Sequence, residues 1–479
     1  MSSNFGGWVP KPADKVVRHP RFEQLGPTHV ELAPRRRRPF ALTPPLILVY
    51  AFGTLVGIGT LLLELPFAHQ GDGLAPFVDA LFTATSAATV TGLVTQETSS
   101  YWTLPGQAVI MVLMFAGGLG IMTVVGAMLV FGGQRVPLRQ RLVIRETIGT
   151  ASFTDITGVL VRIVLWAVAI QIVGFVVLFV RFDSLYSTGD AVWHSLFQAV
   201  SGFNNAGFTS IPDSENLSSF QTDKLVGGTI AVLVVLGSLS YWVLGDVIER
   251  RRFSTLSLNT KLVLVTTGVL LLAGAFFFLL FESGAGGTVS HLPIADKIAT
   301  SVFHSVNRTA GFSTVDFGET TQQTNLFYAA LMFVGGASGS VAGGIKVNTL
   351  AIIAITAVAT LRGRATVSAF NRRIPKAQIQ WAQVIVIVSI LGVFLLASML
   401  TFIEQDFPFL DLLFEAASAF GTVGLSTGLT VDLSSTSQFL LVLAMFLGRI
   451  LPPMVIIVAL SRDDREPLVR YPKEQLVIG

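Results

Sequence analysis

Val90-Thr91-Gly92-Leu93 returns three times in altered form, as Asn205-Ala206-Gly207-Phe208, Thr309-Ala310-Gly311-Phe312 and Val423-Gly424-Leu425. The glycines stand 115, 104 and 113 residues apart, and each follows a short, partly apolar segment and precedes a long apolar one. A period of this length is an internal fourfold repeat. Four short glycine loops between apolar segments read as four walls of one pore.

The composition says where such a pore sits. Of 479 residues, 52% are hydrophobic and 13% charged, too little polar surface for a soluble chain of this size. Runs of about 20 apolar residues, the length a helix needs to cross about 30 Å of hydrocarbon, fall near 45–65, 106–131, 158–181, 225–247, 262–281, 326–360, 380–403 and 437–460. The sixth is too long and too rich in glycine for one straight helix. Cysteine is absent, which removes disulfides and thiolate metal sites.

Charge placement orients the spans. Arg35–Arg38 precede the first, and Arg135, Arg139, Arg141 and Arg145 follow the second. Arg250–Arg252 and Lys261 follow the fourth, Arg362, Arg364, Arg372, Arg373 and Lys376 the sixth, and Arg462, Arg465, Arg470 and Lys473 the eighth. All fall on one side. The other side holds Lys224, Lys297 and Arg308 beyond the membrane-edge Arg181, so the positive-inside rule puts both termini in the cytoplasm. The Arg- and Pro-rich stretch 1–44 lacks the apolar core of a secretory signal. It reads as a cytoplasmic tail touching anionic lipid, and 461–479 as a second tail.

Between the tails the repeats cover 45–131, 158–247, 262–360 and 380–460. In the first, Pro76 to Ala88 is apolar enough to enter the membrane and too short to cross it. It reads as a re-entrant half-helix, after which Thr89-Val90-Thr91-Gly92-Leu93 leads back out. The second has a half-helix from Asp190 and the loop Asn204-Asn205-Ala206-Gly207-Phe208; the fourth has Asp411 to Phe420, then Gly421-Thr422-Val423-Gly424-Leu425. Phe82, Phe197 and Phe414 each sit ten residues before the loop glycine. In the third repeat Phe303 is only eight ahead of Gly311, which reads as a shorter half-helix or another residue in that place.

Irregular backbone at membrane depth is tolerated only where it is buried in protein or lines water. Repeated around an axis, such loops turn carbonyls to a common centre, where they replace the hydration shell of a cation. Half-helices entering from outside aim the negative ends of their dipoles at the membrane middle, which favours a cation there. The competing reading, glycines as helix-packing sites, suits one glycine better than four in matching context.

At these residues the chain resembles the Trk/Ktr/HKT superfamily of potassium transport proteins, and within it the KtrB-like membrane subunits. The resemblance spans the first to the eighth apolar run. It rests on the four loops, notably Ser201-Gly202-Phe203-Asn204-Asn205-Ala206-Gly207-Phe208 and Arg308-Thr309-Ala310-Gly311-Phe312, and on Gly335-Gly336-Ala337-Ser338-Gly339-Ser340-Val341-Ala342-Gly343-Gly344-Ile345-Lys346. It implies an all-α polytopic membrane protein, eight transmembrane helices in four membrane-loop-membrane repeats around a pseudo-fourfold pore. It further implies a homodimer under a cytoplasmic ring of nucleotide-binding, KtrA-like RCK subunits, with potassium at the filter, sodium as a second ion and no nucleotide on this chain. The expected filter residues are Thr89, Val90, Thr91, Gly92, Asn204, Asn205, Ala206, Gly207, Arg308, Thr309, Ala310, Gly311, Thr422, Val423 and Gly424.

The stretch 335–346 is the expected gate. Gly335, Gly336, Gly339, Gly343 and Gly344 should break the sixth span, since glycine costs a helix about 1 kcal/mol relative to alanine. Lys346 at its end would bind backbone carbonyls or repel cations, against the plainer reading of a snorkelling lysine. Arg449 lies within the last span, where an arginine must be paired or face water; Gly448-Arg449 matches the family arginine that faces the intramembrane loop. The following Ile450-Leu451-Pro452-Pro453 departs from the family's Gly-Pro.

Other residues are expected to do less. Glu64, Asp246, Glu282 and Glu404 read as interfacial, and Asp79, Asp190, Asp296 and Asp411 as caps of the half-helices. His194 and His304 read as packing residues, and Arg308 as paired with an acid or carbonyl behind its loop. The loops lack the full Thr-Val-Gly-Tyr-Gly of potassium channels, with only Thr422-Val423-Gly424 close, so discrimination against sodium should be weaker. A secondary carrier coupled to sodium or protons would show a twofold or inverted repeat and an intramembrane acid, and an intramembrane enzyme a Ser/His pair, Asp pair or metal cluster. Neither pattern is present, and nothing points to nucleic acid.

Overall fold

The same parts recur four times, and local sequence sets where each begins. The computed structural model describes residues 44–132, 156–212 and 216–461. Arg35–Arg38, Arg135–Arg145 and Arg462–Lys473, which carry much of the charge argument, lie outside the described residues, as do 1–43 and 462–479 of the two tails. The first repeat runs through α1 (Pro44–Glu64), half-helix α2 (Phe77–Thr89), the single turn α3 (Thr98–Tyr101) and α4 (Leu104–Gly132). The second comprises α5 (Ile156–Phe182), half-helix α6 (Thr188–Asn204), α7 (Lys224–Ser238) and α8 (Tyr241–Arg250). The third comprises α9 (Leu258–Glu282), half-helix α10 (Ile294–Asn307), α11 (Gln322–Met332) and α12 (Val347–Leu361). A small hairpin, β1 (Ser368–Ala369) and β2 (Arg372–Arg373), turns through Phe370 and Asn371 at positive φ. The fourth repeat is α13 (Lys376–Ile403), half-helix α14 (Phe409–Gly421) and α15 (Ser435–Ser461).

Prolines start three of the half-helices: Pro76, Pro293 and Pro408 stand directly before α2, α10 and α14, where a missing N–H and fixed φ do no harm. Ser187 does the same for α6 through its side chain, which accepts from the Asp190 N–H. Asp79, Asp190, Asp296 and Asp411 fall in the first turns, at the positive dipole end.

Each second helix packs on the half-helix of the next repeat: α4 on α6, α7 on α10, α11 on α14, and α15 back on α2. The four repeats therefore close into a ring. The register phenylalanines are the pegs of this packing, with Phe82, Phe197 and Phe414 wholly buried and Phe303 nearly so. Outward, α9 exposes Leu272, Phe276 and Leu280, and α13 exposes Phe394, Leu395 and Phe402, a large apolar surface of the kind a bilayer covers.

Among the described residues, Val161–Phe182, Leu258–Glu282 and Lys376–Ile403 are long and apolar enough to cross a membrane. Val49–Glu64, Leu104–Leu119, Val347–Leu361 and Ser435–Leu451 are shorter apolar helices. The run near 225–247 is not the single helix its hydropathy suggests: α7 and α8 meet at 95°. The cause is tertiary. The carbonyls of Gly237 and Ser238 accept from Val341 and Ala337, at 3.2 and 2.9 Å, and Ser240 caps the new helix through the Val243 N–H.

Candidate functional site

Half-helices α2, α6 and α14 end alike. The last helical residue stands three before the glycine, and the next one, Val90, Asn205 or Thr422, turns left-handed with φ of 58°, 57° and 49°. The following N–H reaches back into the last turn, Thr91 to Ser86 at 2.8 Å, Ala206 to Ser201 at 2.9 Å and Val423 to Ser418 at 2.9 Å, a Schellman closure. Left-handed φ is rare for a β-branched residue; at Val90 and Thr422 this cap holds it. α10 ends one residue earlier relative to its glycine, at Asn307, with Arg308 still right-handed at φ −54°. This does not account for Phe303: α10, with 14 residues, is no shorter than α2 and α14, with 13 each, and Phe303 stands four residues before its end where its counterparts stand seven, so it fills a place about one helical turn further along.

The loops then meet in chain order, the last against the first. A Cβ on Gly207 would stand 2.5 Å from the carbonyl oxygen of Ala310, and one on Gly311 2.5 Å from that of Val423. One on Gly92 would run into the carbonyl oxygen of Ala206, and one on Gly424 into that of Thr91. The four φ values are 96°, 72°, 71° and 97°. Glycine is required twice over, by dihedral and by close approach. The carbonyls of Thr91, Ala206, Ala310 and Val423 therefore lie around one centre. Thr89 and Thr91 share a 2.8 Å hydroxyl contact, and Asn204 bonds back to the Val200 carbonyl at 2.9 Å.

Residues 333–346, between α11 and α12, pack on the side of the ring where the half-helices end. The segment loops round to run beside its own start through the parallel bridge Val334–Ile345, with Gly335 donating to Ile345 at 2.8 Å; Gly339 and Gly344 adopt φ of 78° and 62°. A Cβ on Gly343 would collide with the Thr422 hydroxyl, one on Gly344 would lie 3.3 Å from the Gly421 carbonyl, and one on Gly336 2.7 Å from that of Ser238. Arg449 is buried and donates to the carbonyls of Val341 at 2.6 Å and Gly117 at 3.4 Å, tying the segment to α15 and α4. Lys346 folds onto its own segment, with Nζ 2.5 Å from the Ala342 carbonyl and 3.5 Å from that of Gly343. Arg308 is buried and donates to the carbonyls of Val334 and Leu331, at the negative end of α11.

Several side-chain roles went unread in the sequence. A serine stands six residues before every loop glycine: Ser86, Ser201, Ser305 and Ser418. Ser86 and Ser418 accept the Gly92 and Gly424 N–H at 3.0 Å, Ser201 donates to the Phe208 carbonyl at 2.8 Å, and Ser305 to that of Leu271 at 2.7 Å. Aligning the loops on their glycines finds this column. Asn205, oriented so that both ends of its amide are satisfied, accepts from Ser238 at 2.6 Å and Thr309 at 3.1 Å and donates to Val234 and Phe203 at 3.2 Å.

The acids are also busier than expected. Glu282, at the end of α9, is wholly buried in the protein and accepts from Thr288, Thr321 and Thr324, gripping the residues that start α11. Asp296 pairs with Lys224 at 2.9 Å, joining repeats two and three, and Asp79 reaches forward to Thr95 at 2.8 Å. His194 lies edge-on to Tyr186, and His304 stacks on Phe278. Among the described residues no group of three or more His, Asp and Glu could hold a metal.

Comparison with known proteins agrees with this architecture. A family model described as TrkH, cation transport protein, matches residues 32–465. The chain is 37% identical over 438 residues to the Ktr system potassium uptake protein B of Bacillus subtilis, covering 91% of this chain and 97% of that one. It is 33% identical over 444 residues to the potassium/sodium uptake protein NtpJ of Enterococcus hirae, covering 91% and 98%. The crystal structure of the potassium transporter TrkH from Vibrio parahaemolyticus shares the fold, with TM-score 0.65 at 16% identity, covering 89% of this chain and 87% of that one. With a closed ring of four glycine loops and a family match over nearly its whole length, the chain belongs to the TrkH family of cation transport proteins.

Proposed function

We propose that this chain takes up potassium through a channel-like pore lined by four non-identical filter loops. The observation that carries the reading is the ring itself: four glycines, each against the carbonyl before the next. In such a ring the carbonyls of Thr91, Ala206, Ala310 and Val423 replace the water around a cation. With one glycine per loop, it discriminates against sodium less sharply than a longer filter.

The relatives named for potassium uptake, and for potassium/sodium uptake in Enterococcus hirae, support the choice of ion and sodium as a second one. Residues 333–346, held by Arg449, obstruct the path on the inner side and open it when displaced. The chain works as a homodimer of eight-span subunits in the cytoplasmic membrane, both termini inside. KtrA-like RCK subunits, which hold the regulatory nucleotide, govern the gate; the relatives named as parts of a Ktr system support this multi-subunit reading.

The test is growth of a potassium-uptake-deficient bacterium on limiting potassium, with the intact chain, Gly207→Ser and Gly424→Ser, each with a KtrA-like partner coexpressed. Rescue by the intact chain and its loss or alteration in the glycine variants is expected. No rescue by a chain shown to reach the membrane would reject potassium as the cargo.

A further inference from the structure

We propose that each half-helix carries a side chain that clamps the hydroxyl three residues beyond its loop glycine, and that these four clamps set the preference of the ring for potassium over sodium. The inference rests on the pore reading above and names residues which that reading does not use. The hydroxyls form a column in the aligned repeats: Thr95, Ser210, Thr314 and Thr427. Every one has a partner on its own half-helix. Thr95 donates to Asp79 at 2.8 Å, Ser210 lies 3.0 Å from His194 Nδ1, Thr314 3.1 Å from His304 Nε2, and Thr427 donates to Glu415 from its hydroxyl at 3.3 Å and its N–H at 3.0 Å.

The partners come from different registers. Asp79 and His194 stand thirteen residues before the glycine, Glu415 nine and His304 seven. Side chains at three helical positions, with two kinds of chemistry, converge on one column. Incidental packing has no reason to find the same oxygen four times. Thr95, Ser210 and Thr314 are buried, and so are His194, His304 and Glu415. Glu415 also accepts from Ser426 at 2.6 Å and Thr430 at 2.7 Å, gathering residues 426–430 that follow the fourth loop. A buried carboxylate is tolerable only with such donors.

The clamps complete an anchoring that the helix ends begin. Before each glycine the backbone is held by its bonds to the last helical turn; after it, by the clamped hydroxyl. Glycine has the widest conformational freedom of any residue, so a loop released at the outer end can turn its carbonyl or draw inward. A ring that draws inward fits the smaller sodium ion better, and one held open fits potassium. The ring is uneven, with carboxylate clamps in adjacent repeats four and one and imidazole clamps in two and three.

The experiment uses the purified full chain in detergent and reads melting temperature against potassium chloride and sodium chloride, since an ion that binds only the folded ring raises it by mass action. The ratio of the two apparent affinities is the readout, and it needs no open gate. Thr95→Val and Asp79→Ala should each lower the potassium preference roughly three- to tenfold, the size of an ordinary net hydrogen bond. The double variant should fall no further than the worse single one, and Asp79→Asn, which can still accept, should restore most of the preference. Ser210→Ala, which removes one oxygen, serves where a larger change fails to fold. Variants that melt lower but keep the intact ratio would overturn the clamps, while a changed ratio in Gly207→Ser would leave the pore reading standing. An intact, folded chain with no ion-dependent shift would overturn both.

Discussion

At Gly343 there is no room for a methyl group: it would strike the hydroxyl of Thr422, directly beside the ring. Gly343→Ala should therefore push the segment 333–346 off its seat and raise potassium flux severalfold. Arg449→Gln should act in the same direction, since the Val341 carbonyl loses a charge-assisted bond of about 1.5–3 kcal/mol. Tracer uptake into vesicles measures both, and unchanged flux in each would argue that the segment does not gate. The loop glycines were legible in the sequence because positive φ and backbone contact leave one residue type to choose. The bonds of the Asn205 amide, the grip of Glu282 and the glycine-minus-six serines were not. Asn and Ser tolerate many settings, and the partners of Glu282, Thr321 and Thr324, lie some 40 residues further on.

At the scale of the element, the last residues of three first helices grip the start of the second helix in the same repeat. Arg181 pairs with Asp223 at 2.6 Å, Glu282 holds Thr321, and Glu404 accepts from Ser434 and Ser437. Burial raises the Glu404 carboxyl, but the bonds from Ser434 and Ser437 outweigh it and hold the group below its ordinary range. A depressed carboxyl adds stability above its unfolded pKa, and that stability is lost as pH falls through the folded value. Glu404→Gln should lower stability by about 1 kcal/mol near neutral pH, given its partial exposure. It should also flatten the fall in melting temperature below roughly pH 5. Differential scanning fluorimetry across pH reads both; an unchanged acid limb would remove Glu404 from the account. The interruption between α11 and α12 was legible from its glycine count. The bend between α7 and α8 was not, because the groups that take its carbonyls come from residues 337 and 341.

For the molecule as a whole, the fourfold repeat and apolar composition announced a mostly helical membrane-transporter fold, while charge placement supplied only an expected orientation. The lack of cysteine makes that orientation testable with single substitutions. Asp72→Cys should react with a membrane-impermeant maleimide on intact cells, and Thr366→Cys only after permeabilisation. The reverse pattern would invert the topology. Exposed apolar positions on α9 give a second check: Leu272→Lys should hinder insertion by about 3–4 kcal/mol if that face meets lipid mid-membrane, read as reduced membrane yield.

The closure of the ring, with α15 packed on α2 and Gly424 against Thr91, bears on how the protein is made. The first half-helix leaves the ribosome long before the helix that covers it exists. Until the fourth loop and the final helix arrive, the first loop has a neighbour on one side only and its half-helix lacks its last packing partner. A ribosome stalled before residue 435 thus leaves a ring open at the seam between repeats four and one, for the translocon and membrane quality control to shelter or remove.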